Sequence, residues 1–487
     1  MTASAGLRLA ALAGAAALCA LGARQRTATI DGATRSWLYE DPMVALRYAA
    51  NLVESGDLAW NPGDRVAGPA RAGWTAVLAM AHLVFGLRAP AAIDALNAAL
   101  LIAVLLQAER LLRDLSARPG PGAVALWIAA VACFDLVFWA VNGFEITLLT
   151  AAWLLAARRV LRERGDLRPA TLALLALVPV LRAEGIAGWA GLAALALGVG
   201  GVSRRRLGLL AVSLVPLAAE AAFHRAWWGE WWPGSPIVSV VAVPSGIGLA
   251  GRYLARFSAF YGAALVLAAA GAILARDRRR ALLLGAVACG GAWTALAPGP
   301  ALPGVAPLAY LVPVVLTLAA AAAGDLGRRF GRAAGLLAAA ALAVPAMVAA
   351  VRIPPQRLAA SEPAGTVAGT LVARHAGAGA TIGVFAPGSL AYFSGRRCID
   401  LLGGLTPGGL GARPDIVVVH LPPDEVAARA AGRAGGDRMD AVLDTDLFRA
   451  EYLPHALPVL DRTTLFFRRD SPDRGRLAEW RAPEVRR

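Results

Sequence analysis

Long apolar runs separated by short charged stretches fill the chain as far as Val351. A helix needs about 20 mostly apolar residues to cross a bilayer, so the pattern predicts about 11 or 12 spanning helices. The first run also fits a cleaved signal peptide, but the many later runs favour an uncleaved anchor. The runs lie at residues 7–23, 73–88, 90–109, 122–140, 145–157, 169–182, 187–202, 207–223, 254–275, 281–297, 304–322 and 334–351.

A different pattern begins after Val351. Residues 353–487 are rich in Arg, Asp, Pro and Gly, and no window among them is long enough to span a membrane. Short β-like runs alternate here with helical patterns, which predicts a small α/β domain after a polytopic α-helical membrane domain at 1–352. Strands are predicted at Thr381–Ala386, Cys398–Leu402, Pro414–His420 and Thr463–Arg468, and helices at Thr366–His375, Asp424–Ala431 and Thr445–Tyr452.

The composition excludes a soluble, disordered or disulfide-rich protein. Of the 487 residues, 58% are hydrophobic and 17% charged, against about 45–50% and about 25% in ordinary soluble domains. The formal net charge is +15, and the chain contains arginine but no lysine. The arginines cluster between apolar runs, as the positive-inside rule expects, and this argues against a nucleic-acid partner.

These arginine clusters predict the orientation in the membrane. Clusters that separate consecutive runs are predicted to face the cytoplasm, so the polar segment 25–72 and the C-terminal domain face outward. Two runs, 73–88 and 90–109, separate the outward segment 25–72 from the cytoplasmic cluster Arg110–Arg118. Two full crossings would return the chain to the outer side, so we expect the short run 73–88 to cross only partially. The cytoplasmic clusters are Arg158–Arg168, Arg204–Arg206, Arg276–Arg280 and Arg328–Arg332, and the outward connections are Asn142–Glu145, Arg182–Gly185, His224–Pro236 and Ala297–Gly304.

The polar segment 25–72 carries an acidic pair at a predicted helix start, because Glu40 and Asp41 precede Pro42. At the bilayer edge a carboxylate can act as general base on an acceptor hydroxyl, or hold a divalent cation that binds phosphate. Plain capping of the helix by Asp41 is the alternative. The residues that follow make one apolar face of an amphipathic helix suited to the membrane surface: Met43, Leu46, Ala50 and Leu52–Val53.

Two further outward loops carry charges at the membrane edge. Arg182 suits a lipid phosphate, because a guanidinium donates paired hydrogen bonds that match phosphate oxygens. An ion pair between Arg182 and Glu184 within the hairpin is the alternative. Glu145 either lines a polar site or stands at a helix N-terminus, where the helix dipole favours an acidic side chain.

The segment His224–Pro233 combines two cations with four tryptophans at a membrane boundary. An interfacial aromatic belt explains this composition without any ligand. In the other interpretation, tryptophans such as Trp228 stack on a sugar or polyprenyl chain while His224 or Arg225 meets phosphate.

Five motifs in a fixed order resemble the GT-C class of integral-membrane glycosyltransferases, and most closely the bacterial terminal β-(1→2)-arabinofuranosyltransferase group. After the acidic pair come Arg47-Tyr48-Ala49, Asn51-Leu52 and Asn61-Pro62-Gly63-Asp64, in nearly the spacing of that group. The resemblance runs from about Tyr39 to Asp415, most of the chain. Its four later motifs are Gly143–Ile146, Arg182–Gly185, Trp228–Ser235 and a tail motif made of Gly388–Gly395 with Ile399–Gly403.

The resemblance implies inverting transfer of a sugar, a pentose such as arabinofuranose or a hexose, from a polyprenyl-phosphate donor. The acceptor would be a cell-envelope glycan or lipid on the outer face of the bacterial cytoplasmic membrane. Asp41, with help from Glu40, would act as the base, and the same pair is a candidate site for Mg²⁺ or Mn²⁺. The residues implied in binding the donor phosphate and substrate are Arg182, Glu184, Glu145, Arg47, His224, Arg225 and Trp228.

The sequence departs from the group at two places. The acidic pair is Glu-Asp where Asp-Asp is usual, which keeps the charge. Residues Val66–Trp74 lose a Glu, a Tyr and an Asn of the group's pattern, which predicts an altered acceptor site or reduced activity. That loss also supports a rival hypothesis, a lipid-linked-sugar transporter or a non-catalytic assembly partner. The acids lie at outer loop ends and not near the bilayer midplane, which favours the enzyme.

Overall fold

The structure is a computed structural model. Three sequence predictions fall outside the residues that it describes: the loop Ala297–Gly304, most of the helix Asp424–Ala431, and Glu230 with 232–236 of the tryptophan-rich segment. The described residues are 3–68, 71–116, 120–229, 231, 246–296, 306–352, 363–402, 405–406, 409–421, 425–426, 438–443, 445–456, 463–480 and 485–486.

Helices follow the predicted apolar runs. The run 122–140 is divided into two helices, α5 and α6, that meet at 45°. The run 207–223 is also divided, and the second part, α11, begins with a proline in its first turn, where proline favours a new helix. Up to residue 352 the helices are α1 (Ala3–Gln25), α2 (Glu40–Ser55), α3 (Ala72–Phe85), α4 (Ala89–Leu115), α5 (Gly120–Val131), α6 (Phe134–Val141), α7 (Ile146–Arg162), α8 (Pro169–Leu181), α9 (Gly185–Gly200), α10 (Arg204–Val212), α11 (Val215–Trp228), α12 (Gly246–Ala275), α13 (Arg278–Leu296), α14 (Val312–Phe330) and α15 (Arg332–Arg352).

These helices make the chain a multi-pass membrane protein. Among the described residues, five helices are long and apolar enough to cross a membrane, or six if the bent pair α5–α6 forms one span. Apolar helices such as α8 and α9 fall below that length. The sequence-based count of about 11 or 12 includes such short runs, so it stays a prediction.

The C-terminal domain contains a five-stranded mixed sheet in the order β4-β3-β5-β7-β6. Strand β3 is parallel to β4 and β5, whereas β7 is antiparallel to β5 and β6. The predicted α/β fold is confirmed, but the sequence analysis missed β6, which begins directly after α19. The elements are β3 (Thr381–Val384), β4 (Arg397–Asp400), β5 (Ile416–Val419), β6 (Tyr452–Ala456) and β7 (Thr464–Arg468), with α16 (Ala364–His375), α17 (Gly388–Ser394), α18 (Arg438–Leu443) and α19 (Asp446–Glu451).

A β-hairpin that the sequence analysis did not predict opens the polar segment 25–72. Strands β1 (Thr27–Ile30) and β2 (Ala33–Ser36) pair antiparallel across the turn Asp31-Gly32. Both turn residues have positive φ, 50° and 77°, the conformation that an Asp-Gly hairpin turn favours. Strand β8 (Val485–Arg486) pairs with β1, so the last described strand returns to the start of the polar segment.

One hydrophobic core joins the polar segment to the C-terminal domain. It contains Trp37 and Leu46 from the region around α2, Trp74 of α3, and Phe393 and Phe467 of the C-terminal domain. Because burying such side chains is the main stabilising contribution to folding, the two regions support each other. Residue 352, where α15 ends, therefore does not separate the C-terminal domain from the polar segment 25–72.

Helix α2 begins where the acidic pair predicts, but it is buried on more than one face. All residues from Pro42 to Asn51 are buried, because α3 and α17 both pack against this helix. This corrects the prediction of an amphipathic helix that rests on the membrane surface. Exposed apolar side chains belong instead to the 14-residue helix α3, whose length agrees with a partial crossing by residues 73–88. They are Met80, Leu83, Val84 and Phe85.

Candidate active site

The acidic pair occupies the first turn of α2. Tyr39 is the N-cap residue, so Glu40 and Asp41 are the first two helical residues and Pro42 is the third. An acidic pair followed by proline predicts Pro42 in the first helical position, so the helix begins two residues earlier than this pattern implies. The third position also tolerates proline, because the first four amides of a helix have no intrahelical acceptor. Both carboxylates therefore stand where the helix dipole favours negative charge.

The loop before α7 approaches the start of α2. The amide of Tyr39 donates a hydrogen bond to the carbonyl of Asn142 across 3.1 Å. Gly143 has a φ of +82°, and a Cβ at this position would lie 2.7 Å from Leu38 Cδ1, so only glycine fits there. The chain then turns so that Glu145 becomes the N-cap residue of α7.

Arg182, between α8 and α9, binds two carboxylates. Its Nε and Nη2 donate to the two oxygens of Glu184 at 3.0 and 3.1 Å, and its Nη1 donates to Glu145 Oε1 at 2.6 Å. Burial opposes ionisation of Glu184, but the Arg182 guanidinium outweighs it and lowers the pKa of that carboxyl. The ion pair that the sequence analysis gave as an alternative is confirmed. It uses three of the five N–H groups of the guanidinium.

Asp41 belongs to the same electrostatic cluster. The pKa of its carboxyl is raised to about 6, chiefly by burial, with the Glu145 carboxylate adding to the shift and Arg182 opposing it. Within the described ranges no group donates a hydrogen bond to Asp41, whereas Glu145 and Glu184 are paired with Arg182. Asp41 is therefore the acid of this cluster that has no hydrogen-bond donor among the described residues.

Glu40 faces the C-terminal domain. Its Oε1 accepts a hydrogen bond from the amide of Gly388, the first residue of α17, at 2.5 Å. The pKa of Glu40 is raised to about 7, chiefly by burial, with the Gly388 hydrogen bond opposing the shift and the carboxylates of Asp41 and Asp400 adding to it. The two neighbouring acids thus have different partners, so the help that Glu40 can give Asp41 is electrostatic.

Arg71, just before α3, is a site residue that the sequence analysis missed. Its Nη1 lies 3.8 Å from Oε2 of Glu220 on α11, and the amide of Ala72 donates to Glu220 Oε1 at 2.9 Å. Burial lowers the pKa of Arg71, whereas the carboxylates of Glu220 and Glu184 raise it. Arg71 therefore connects α11 to the Arg182 cluster. The sequence does contain a signal for this residue, because Arg71 is the one charged residue in the altered stretch Val66–Trp74.

His224 and Trp228 line a small cavity between α11 and the segment before α3, with Tyr48 on its other side. Their ring centroids are 4.6 Å apart. Nδ1 of His224 and Nε1 of Trp228 are buried and have no hydrogen-bond partner among the residues described. Arg225 is exposed and donates to the carbonyl of Gly229. The structure thus brings His224 and Trp228 together and leaves Arg225 outside this cavity.

Arg47 lies where α2 meets the C-terminal domain. Its guanidinium donates to the carbonyls of Ala391 at 2.5 Å, Arg396 at 2.6 Å and Trp60 at 2.8 Å. The residue is only 4% exposed. Arg47 therefore holds backbone from both sides of this junction, and it is not part of the Arg182 cluster with which the sequence analysis grouped it.

The neighbouring motif Asn61–Asp64 lies at the same junction. The side chain of Asn61 bonds both the amide and the carbonyl of Cys398 in β4, at 2.8 and 2.9 Å. Asp64 pairs with Arg397 at 2.8 Å. Several motifs that carry the family resemblance thus form contacts between the polar segment and the C-terminal domain.

The acidic pair offers few ligands to a divalent cation. In the described part of the chain, no three His, Cys, Asp or Glu side chains are grouped so that they could hold a metal ion. Oxygen Oε1 of Glu40 already accepts the Gly388 amide. Mg²⁺ is commonly bound by one or two carboxylates together with water and substrate phosphate, so a cation site at Glu40 and Asp41 stays a prediction.

Known proteins match this chain by structure and not by sequence. No protein-family model and no curated protein matches the sequence. ArnT from Cupriavidus metallidurans in the apo state matches with a TM-score of 0.53 and 13% identity, covering 96% of this chain and 98% of that chain. The same protein bound to undecaprenyl phosphate matches with a TM-score of 0.55 and 13% identity, covering 95% and 98%. At this identity the likeness shows the fold alone, and it confirms the predicted GT-C-like membrane fold with its C-terminal domain.

Proposed function

We propose that the protein transfers a sugar from a polyprenyl-phosphate donor to a glycan or lipid of the cell envelope. The observation that carries the proposal is the cluster of Asp41, Glu145, Arg182 and Glu184, which combines one unpaired acid with a buried guanidinium. The reaction takes place on the outer face of the bacterial cytoplasmic membrane, where segment 25–72 and the C-terminal domain also lie. Arabinofuranose, another pentose or a hexose are the candidate sugars.

Arg182 binds the donor phosphate in this proposal. Its three hydrogen bonds to Glu184 and Glu145 leave two of the five guanidinium N–H groups for a phosphate oxygen. Arg71 adds positive charge from the side of α11. The likeness to a protein crystallised with undecaprenyl phosphate supports this donor class.

Asp41 acts as the general base in this proposal. It takes the proton of the acceptor hydroxyl while the hydroxyl oxygen attacks the anomeric carbon and the bond to the donor phosphate breaks. Attack opposite the phosphate inverts the configuration at the anomeric carbon. A pKa raised to about 6 supports this role, because the carboxyl is ionised at neutral pH but still accepts a proton readily.

The proposed reaction needs no metal ion, because Asp41 itself accepts the proton of the acceptor hydroxyl. Transfer measured with and without EDTA tests this point. We expect both rates to agree within about twofold, since a base catalyst needs no cation. Loss of transfer in EDTA, restored by Mg²⁺ or Mn²⁺, would support the cation site that the sequence analysis considered.

Sugar transfer by the purified protein in liposomes tests the proposal. Radiolabelled polyprenyl-phosphate sugars are offered with a mixed pool of glycan acceptors to the wild type, Asp41→Asn and Asp57→Asn. Asp57 lies in the same segment, and among the described residues its carboxylate accepts only the amide of Gly63, so D57N is the matched control. We expect D41N to lose transfer by about 100-fold or more, while D57N stays close to the wild type.

The same experiment separates the enzyme from its rival functions. If D41N transfers sugar as fast as the wild type, the base is another residue and transfer itself stands. If the wild type transfers no sugar from any donor but moves labelled lipid across the bilayer, the protein is a transporter. Lipid binding without either event would indicate a non-catalytic assembly partner.

A further inference from the structure

A second cavity lies between the C-terminal ends of α12 and α14 and the start of α13. Its volume of about 520 Å³ is within the range of small-molecule sites, about 300–1,000 Å³. Nothing in the proposed transfer reaction uses it. Its lining is part apolar and part charged, and includes Leu274, Ala275, Leu326, Arg280, Arg328 and Arg329.

Helix α14 shows that this cavity and the Asp41 cluster lie at opposite ends of the membrane domain. Tyr310, just before α14, donates a hydrogen bond to the carbonyl of Glu184 at 3.4 Å. Arg328 and Arg329 in the last turn of the same helix line the cavity. A helix of 19 residues is about 28 Å long, close to the roughly 30 Å of a bilayer's hydrocarbon core.

Helix α7 gives the same result independently. Glu145 at its start is paired with Arg182, whereas Arg158 near its end donates to Asp114 at 2.7 Å. The carbonyl of Asp114 in turn accepts a hydrogen bond from Arg279, in the first turn of α13, at 3.4 Å. The cavity therefore opens at the membrane face opposite the proposed reaction.

The rim of the cavity has a large excess of positive charge. Segments Arg276–Arg280 and Asp325–Arg332 together contain seven arginines and two aspartates. Asp277 pairs with Arg279 and Arg280, and Asp325 pairs with Arg280 and Arg328. Each carboxylate is thus already paired with two arginines, so the two aspartates cannot neutralise the remaining arginines.

Arg329 is the rim residue best placed to take an anion. It has no carboxylate partner in the part of the chain that the structure describes, and it is exposed. Its Nη1 makes a long contact of 3.5 Å with the carbonyl of Leu274, and its guanidinium lies over the ring of Phe330. Most of its N–H groups therefore remain for a ligand.

Apolar surface continues from the cavity along the same helices. Ile273 is 74% exposed, Leu274 38% and Phe330 59%. In a membrane protein such side chains face lipid chains. A ligand held at the arginines would thus have acyl chains beside apolar side chains, which matches an amphiphile and not a small soluble anion.

We propose that this cavity binds the headgroup of an anionic phospholipid, with its phosphodiester at Arg329 and Arg328 and its chains against α12 and α14. Basic pockets between membrane helices on the positively charged face are suited to anionic lipid headgroups. Guanidinium groups bind phosphate with charge-assisted hydrogen bonds. This inference does not depend on the proposed transfer reaction, and its failure leaves that proposal unchanged.

The test compares lipids that differ only in the headgroup. Purified full-length protein in detergent is titrated with phosphatidylglycerol or phosphatidylcholine of the same acyl chains, and bound lipid is counted by native mass spectrometry while Tm is followed. We expect phosphatidylglycerol to bind about tenfold more tightly than phosphatidylcholine. One hydrogen bond to a charged group contributes enough binding free energy to change Kd by about this factor. Tm should rise with phosphatidylglycerol more than with phosphatidylcholine, because a ligand stabilises the state that it binds.

Two variants and one control locate the site. Arg329→Gln removes the anion ligand without leaving a carboxylate unpaired, and Ala275→Trp fills the cavity without changing charge. Arg205→Gln removes an arginine at the same face that forms an exposed ion pair with Asp166 at 3.5 Å. We expect R329Q and A275W to lose the headgroup preference and R205Q to keep it.

Several outcomes would overturn the proposal. Equal binding of both lipids by the wild type would show that no headgroup is selected. An unchanged preference in both R329Q and A275W would show that selection occurs elsewhere on the protein. If inorganic phosphate alone raised Tm as much as phosphatidylglycerol, the cavity would be a free-anion site and not a lipid site.

Discussion

The carboxylate of Glu40 accepts a hydrogen bond from the backbone amide of Gly388 at 2.5 Å, although 348 positions separate the two residues. This bond joins the first residue of α2 to the first residue of α17. Because Asp41 is the next residue of α2, the C-terminal domain helps to fix the position of the proposed base. The domain therefore supports the site directly, in addition to any part in binding the acceptor.

Replacing Gly388 with alanine tests this support. A Cβ at Gly388 would lie 2.6 Å from the carbonyl oxygen of Glu40, so α2 and α17 must move apart. We expect G388A to lower the free energy of unfolding by about 1–3 kcal/mol, as overpacked sites do, and to slow sugar transfer. Gly411→Ala is the control in the same domain, because no atom lies within 4 Å of its Cβ position. Equal effects of both changes on Tm would remove the close contact as the cause.

The buried carboxyl of Glu40 predicts a pH dependence of stability. Its pKa rises from 4.5 to about 7 in the folded state, so the folded protein holds this proton more tightly than the unfolded chain. The contribution is complete below pH 4.5 and is lost as the pH rises through 7. Relative to Glu40→Gln, the wild type should lose on the order of 2 kcal/mol between about pH 5 and pH 8. Parallel Tm curves for wild type and E40Q over this range would contradict the prediction.

Local signals in the sequence predicted the elements but not their partners. The acidic pair before Pro42 located the start of α2, and short β-like runs located β3, β4, β5 and β7. The turn Asp31-Gly32 was also a readable hairpin signal, but its flanking strands have only four residues each. Hairpins this short are stable only with further packing, and here β8 provides a third strand.

Contacts between residues far apart in the sequence explain why the positions of Arg47 and Arg71 in the structure were not predicted. Arg47 has the chemistry of a phosphate ligand, and only the fold shows that carbonyls of Ala391 and Arg396 use its guanidinium. Arg71 was missed because its partner, Glu220, lies 149 positions later on another helix. Arg182 and Glu184, in contrast, are two positions apart, so their ion pair could be anticipated.

The pKa of Asp41 predicts how sugar transfer depends on pH. Its carboxyl has a pKa of about 6 in the folded protein, and a general base must be ionised to accept a proton. The rate of transfer at low substrate concentration should therefore fall as the pH drops, and reach half its maximum near pH 6. Rates measured from about pH 5 to pH 8 on one donor check this. A rate that is flat across this range, while the protein stays folded, would exclude Asp41 as the base.

The buried pairing of Arg182 with Glu184 and Glu145 predicts strong, coupled effects on stability. Arg182→Gln leaves the buried Glu184 and the half-buried Glu145 without their cation, which should cost about 3–5 kcal/mol. Glu184→Gln in the R182Q background removes one of these charges and should restore about 0.5–3 kcal/mol. Arg182→Lys keeps the charge but cannot pair with both oxygens of Glu184, so we expect an intermediate loss. Unfolding in detergent is measured for the wild type, R182Q, E184Q, R182Q/E184Q and R182K, and additive effects of R182Q and E184Q would show that the pair is not coupled. Sugar transfer should stay low in the R182Q/E184Q protein even where stability recovers, because the phosphate still lacks the guanidinium that the proposed reaction requires.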